Sequence, residues 1–109
     1  MKVIIINKTP HPINLLDGDN KVLRTWESEG QVRLSMKTQL IGTIDGVPIT
    51  RTKFGKPSGL PEQQIGTFYI VSQMIKSALG RDDLLVPDEV QRDSSGRILG
   101  CRSLRRWEI

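Results

Sequence analysis

Asp45-Gly46 sits between two alternating, β-branched-rich runs, residues 38–44 and 47–54. Asp-Gly is the pair that accepts positive φ at both central positions of a type I′ turn, and that turn's twist matches the twist of two antiparallel strands. A β-hairpin with its tip at Asp45-Gly46 is therefore predicted. Side chains alternate across a strand, so Val47 and Ile49 share a face with Arg51 and Lys53, while Thr50, Thr52 and Phe54 occupy the other. One face of the arm passes from an apolar end to a cationic end.

The remaining sequence reads in the same way. Short strands are predicted at residues 3–6, 13–16, 21–26, 67–71, 84–86 and 97–104, with a further alternation at Val32, Leu34 and Met36. Turn chemistry separates them: Pro10 and Pro12, Asp17-Gly18-Asp19-Asn20, residues 27–30, and Arg92-Asp93-Ser94-Ser95-Gly96. Residues 55–61, rich in glycine and proline, read as a loop, and Pro87 reads as a strand stop. Only one segment has helical periodicity. Val71, Met74, Ile75, Ala78 and Leu79 predict a short helix over 73–79, with Ser72 as its N-cap and Gly80 as its C-terminal stop. The fold class is mainly β (α+β): a small, mostly antiparallel sheet of short strands and hairpins with one helix. The 109 residues suffice for a single domain, 1–109, and no internal boundary or repeat divides them.

Several function classes are disfavoured by composition. No apolar run approaches the ~20 residues of a membrane span, and the run at residues 3–6 is too short for a secretory signal. A single cysteine makes no internal disulfide and suits a reducing cytoplasm. The net charge is +4, with arginines at 92, 97, 102, 105 and 106 near the C-terminus. Arginine favours flat bidentate contacts to phosphate or carboxylate. The tract is short and lacks interleaved aromatics, so it is weak support for a nucleic-acid partner.

Catalysis finds no constellation. His11 lies between two prolines and Cys101 within a strand, and neither belongs to a motif, so a turn histidine and a packed thiol are expected. One Cys and one His cannot make a zinc site, and no nucleophile elbow or dinucleotide fingerprint is present. Asp82 and Asp83 are neighbours that point apart, with Arg81 as a ready salt partner. No enzyme activity, metal or cofactor is expected. Anion binding fits better. Around residues 53–59, Lys53 and Lys56 supply charge, and Gly55 and Gly59 let backbone N–H groups converge. Candidate phosphate contacts are Arg51, Lys53, Lys56, Arg97 and Arg102. Candidate stacking rings are Phe54 and Tyr69, chosen from a set that also includes Trp26, Phe68 and Trp107.

The opening at residues 4–14, with its Ile6-Asn7-Lys8-Thr9-Pro10-His11, together with residues 47–55, Gly59-Leu60-Pro61-Glu62, and residues 66–72, 81–87 and 92–104, resembles a type of small phage and prophage protein. That resemblance spans nearly the whole chain and implies an origin, not an activity. A looser similarity, of size and composition, is to phage sponges of the Thoeris anti-defence type. It implies a homo-oligomer in the cytoplasm of an infected bacterial host that sequesters a cyclic nucleotide or cyclic ADP-ribose type signal. No binding residue carries over from it. The alternative is a phage interaction protein that inhibits a host protein or serves as a small virion component.

Overall fold

The computed structural model describes residues 2–106, so Trp107 lies outside the described residues. In chain order the elements are β1 (Ile4–Asn7), β2 (Ile13–Leu16), β3 (Val22–Trp26), β4 (Arg33–Ile44), β5 (Val47–Ser58), β6 (Thr67–Ile70), α1 (Gln73–Leu79), β7 (Leu84–Arg92) and β8 (Ile98–Arg105). Six strands form one sheet in the order β1-β6-β7-β8-β2-β3, and β4 and β5 form a separate two-stranded ribbon. The mainly β class follows the sequence. Antiparallel ladders dominate, above all β4–β5 and β7–β8. Three short pairings are parallel: β1–β6, β6–β7 and β2–β8. Parallel neighbours need a long crossover, and between β6 and β7 the helix provides it.

Helix α1 keeps the predicted bounds because its ends are set locally. The Ser72 hydroxyl accepts from the Ile75 N–H at 3.3 Å, and Gly80, left-handed at φ 62°, donates its N–H to the Lys76 carbonyl at 3.0 Å. Seven residues are too few for an independent helix. Packing holds it: Ile75 is buried with Tyr69, Val71, Leu84, Val86 and Val32, and Leu79 packs against the same cluster. Full burial of each large apolar side chain contributes about 1.5–3 kcal/mol.

Prolines 10 and 12 remove ladder hydrogen bonds after β1, and Asn7 replaces them. Its side-chain amide donates to the carbonyls of His11 at 2.8 Å and Trp26 at 2.9 Å. Its Oδ1 accepts from the Thr9 N–H at 2.9 Å and the Thr9 hydroxyl at 2.6 Å. Asn7 is fully buried, so these bonds offset the desolvation of its amide. The same turn holds the segment leading into β4, through Glu29 N–H to the Asn7 carbonyl at 2.8 Å and Val32 N–H to the Lys8 carbonyl at 3.2 Å. The Asn-x-Thr-Pro-His opening is thus a structural stitch at the root of the β4–β5 ribbon.

Two expectations are corrected. Pro87 does not stop its strand: it pairs with Leu104 inside β7. Strand β6 reaches only Leu84 and Leu85, so beyond them that edge of β7 is unpaired and the missing N–H is tolerated. Residues 55–58 are not a loop either. After a bulge between Leu34 and Met36 the ladder resumes with Leu34 opposite Pro57 and Arg33 opposite Ser58. The Asp45-Gly46 tip is as predicted, with φ of 52° and 75°.

Among the described residues the root of the ribbon joins the core, through Val32, Leu34 and Leu60. From residue 35 to 58 every residue is exposed except the half-buried Ile49. Strands of twelve residues extend about 40 Å at about 3.3 Å per residue. The radius of gyration is 17.1 Å, against about 13 Å for a compact domain of this length. The ribbon is a protruding arm.

Candidate functional site

The arm carries the whole excess charge of the chain. Arg33, Lys37, Arg51, Lys53 and Lys56 lie on it against the single carboxylate of Asp45, while the rest of the sequence balances eleven Lys and Arg with eleven Asp and Glu. Residues directly opposite in an antiparallel pair project to the same face. Lys37 faces Lys53 and Gln39 faces Arg51, so three cations share one side of the ribbon. Among the described residues the ion pairs are Arg81–Asp83, Arg105–Asp88 and Arg106–Asp82; none reaches the arm. A like-charge pair placed directly across a ladder destabilises it. A bound anion would reverse the sign of that interaction.

The reverse face of the arm is uncharged, mixing apolar side chains with threonines. Met36 lies opposite Phe54, Thr38 opposite Thr52, and Leu40 opposite Thr50. Met36, Leu40 and Phe54 are 58%, 63% and 45% exposed. Of the expected site residues, the structure brings Arg51 and Lys53 together and adds Lys37. It sets Phe54 on the opposite side and Lys56 at the bulge. Tyr69 is 2% exposed within the core, so its ring is closed to a stacking ligand. Arg97 is in the β7–β8 turn and Arg102 on β8, on the other sheet. Arg102 ties down the β2–β3 turn, donating to Asn20 Oδ1 at 2.9 Å and to the Gly18 carbonyl at 3.3 Å. The seven candidates do not converge within one chain.

Groups considered for catalysis have structural partners. Arg81 forks onto Asp83 at 2.9 and 2.5 Å and also donates to the Pro61 carbonyl at 3.0 Å. The hydrogen-bonded Asp83 carboxylate raises the Arg81 guanidinium above its ordinary value, against the opposing effect of burial. Asp82 points away, accepting from Gln63 and facing Arg106 at 3.8 Å. The Cys101 side chain is buried, and loss of water pushes its thiol upward, towards the unreactive protonated form. Among the described residues no three His, Cys, Asp or Glu side chains gather to hold a metal, and no helix is long and apolar enough to cross a membrane.

The body has a groove of about 330 Å³ over β2, β7 and β8. Ile13, Val86, Val90, Ile98 and Leu99 form its apolar walls, and no charged residue lines it. A phosphate would find no cationic partner there. No family model, curated protein or solved structure matches the chain.

Proposed function

We propose that this chain is a non-catalytic binding protein that holds a phosphate-bearing ligand on the cationic face of its arm. The observation that supports this reading is Lys37 directly opposite Lys53, beside Arg51, with no counter-charge on that ribbon face. Sequences keep such local conflicts where function requires them. The ligand class we propose is a cyclic nucleotide or cyclic ADP-ribose type immune signal. Sequestration would lower its free concentration, a role that needs charge and fit but no chemistry. A ribbon is convex, so a second subunit of a homo-oligomer must complete the enclosure a small ligand requires. The setting that goes with this is phage anti-defence in the cytoplasm of the host. A second reading, a protein-interaction module, is favoured by the exposed Met36, Leu40 and Phe54 on the reverse face.

Thermal shift against a panel of cyclic dinucleotides and cyclic ADP-ribose isomers tests the proposal, with a DNA oligonucleotide run in parallel at low and moderate salt. Ligand at 100 times its Kd stabilises the folded state by about 2.7 kcal/mol. A shift with a small nucleotide that persists in moderate salt and disappears in Lys53→Gln supports sequestration. Binding of the oligonucleotide alone, collapsing with salt, assigns the arm to nucleic acid instead. A flat response throughout leaves the protein-interaction reading.

A further inference from the structure

The two outer edges of the arm are unequal. Among the described residues β4 and β5 pair only with each other, so each presents a free edge, and an unpaired edge is a template for another strand. The β5 edge is blunted by Pro48 and Pro57 and by the cations Arg51, Lys53 and Lys56. Strand β4 has no proline. Between its two bulges, residues 36–40 form an unbroken ladder with β5, and all of them are exposed. We infer that residues 36–40 pair antiparallel with the same residues of a second copy of this chain, about a twofold axis at Thr38, and that the four-stranded face so formed takes a cyclic dinucleotide.

Self-complementarity selects a second copy as the occupant of this edge. A twofold axis between antiparallel strands sets one residue opposite its own copy. At Thr38 it sets threonine on threonine, Met36 on Leu40 of the copy, and Lys37 on Gln39 of the copy. Residues opposite one another share a face, so Met36 and Leu40, 58% and 63% exposed in the single chain, cover each other on the uncharged side. At Lys37 the axis would oppose two lysines. At Met36, Gln39 or Leu40 it would carry the pairing into a bulge. The matching axis on β5, at Thr52, would set Arg51 against Lys53 of the copy.

The choice of ligand rests on the cationic-face reading proposed above. Across the paired arms that face presents a row of Lys53 and Lys37, then Gln39 and Arg51 of the copy. The twofold axis generates a second, identical row two residues further on, about 7 Å away. Lys37 and its copy flank the axis on a diagonal of about 7–8 Å, and an anion between the rows offsets their repulsion. Two equivalent rows match two equivalent phosphates. A cyclic dinucleotide, with a phosphodiester on either side of one ring, has that symmetry; cyclic ADP-ribose, with a single pyrophosphate, does not. The pairing also widens a convex ribbon into a face that such a ring can lie across.

Native mass spectrometry and light scattering of the full-length chain, alone and with cyclic di-GMP, cyclic di-AMP or cyclic ADP-ribose, test the inference. Expected are paired chains and one cyclic dinucleotide per pair. Thr38 is exposed and lies on the uncharged side, opposite Thr52, so changing it leaves the ligand cations in place. Thr38→Asp and Thr38→Lys chains should each be monomeric, because like charges meet across the axis, and an equimolar mixture of the two should restore the pair. Circular dichroism checks that each variant keeps the wild-type fold. A monomer at high concentration with and without nucleotide overturns the pairing. So does a Thr38→Asp or Thr38→Lys chain that still pairs with itself, or a mixture that stays monomeric. One nucleotide bound per single chain overturns the shared site and leaves the cationic-face reading standing. Binding of cyclic ADP-ribose but of neither dinucleotide overturns the symmetry argument. Paired chains that respond to no nucleotide sink the ligand reading alone.

Discussion

Asn7→Ala should be among the costliest single substitutions outside the apolar core. Four hydrogen bonds end on this one fully buried amide: two donated to His11 and Trp26 carbonyls and two accepted from Thr9. Each contributes about 1 kcal/mol net, and a carbonyl left buried without a donor adds about 1–3 kcal/mol. Part is recovered, because the Thr9 hydroxyl still reaches the His11 carbonyl at 3.0 Å in an exposed position. The Trp26 carbonyl, whose bond to Asn7 is buried, has no such relief. The balance is a loss of about 3 kcal/mol, a large share of the 5–15 kcal/mol that holds a typical domain. At 4–8 °C per kcal/mol, that lowers Tm by roughly 15 °C. Urea titration should show the midpoint falling at constant slope. Asn7→Asp should be no better at neutral pH, since a carboxylate faces two carbonyl oxygens, and should partly recover in acid as it gains a proton to donate. A loss below about 1 kcal/mol for the alanine variant, the range of an ordinary surface change, would refute the claim that this side chain stitches the arm root to the sheet.

Three further outcomes follow from named contacts. Arg81→Ala strands the Asp83 carboxylate, 4% exposed in its side chain, without its fork; a loss of about 3 kcal/mol in chemical denaturation is expected, and a change within 0.5 kcal/mol would contradict it. The Asp93 carboxyl is held below its ordinary value by the Ser95 hydroxyl and the Arg97 N–H. A lowered folded value means stability present at neutral pH and lost as pH falls from the ordinary carboxylate range through the folded value, so the urea midpoints of wild type and Asp93→Asn should converge in acid; a gap constant with pH would show the carboxylate charge to be irrelevant. Burial raises the Cys101 thiol, so a disulfide reagent should modify the native chain far more slowly than the urea-unfolded one; equal rates would place the thiol at the surface.

What was legible in the sequence was local. The Asp45-Gly46 tip and both ends of α1 depend on residues within one turn of one another, and they sit where the sequence puts them. Pairing between distant strands was not legible, and it decided what Pro87 and residues 55–58 do. The ligand face shows the same limit. Counting back regularly from the tip pairs Lys53 with Thr38, but the ladder shifts by one residue between Leu40 and Gly42, leaving Ile41 extra. That bulge moves Lys37 opposite Lys53. Gly42, at φ 149°, is the only sequence hint of it. Tyr69 was legible as an aromatic in a strand, but not which side of the sheet the helix would cover. Asn7 was visible only as part of a resemblance; its physical role came from where four polar groups meet.

The charge on the arm is the centre of the functional account, and the Lys37→Gln/Lys53→Gln double variant measures it. Both side chains are exposed and form no ion pair among the described residues, and removing a repulsive cross-strand pair costs the ribbon no stability. Melting curves of wild type and double variant, each with and without the cyclic dinucleotide and cyclic ADP-ribose panel, give stability and binding together. The account predicts an unliganded Tm equal to or slightly above wild type, and loss of the ligand-induced rise that wild type shows. A rise that survives in the double variant, or one absent from wild type as well, would contradict it.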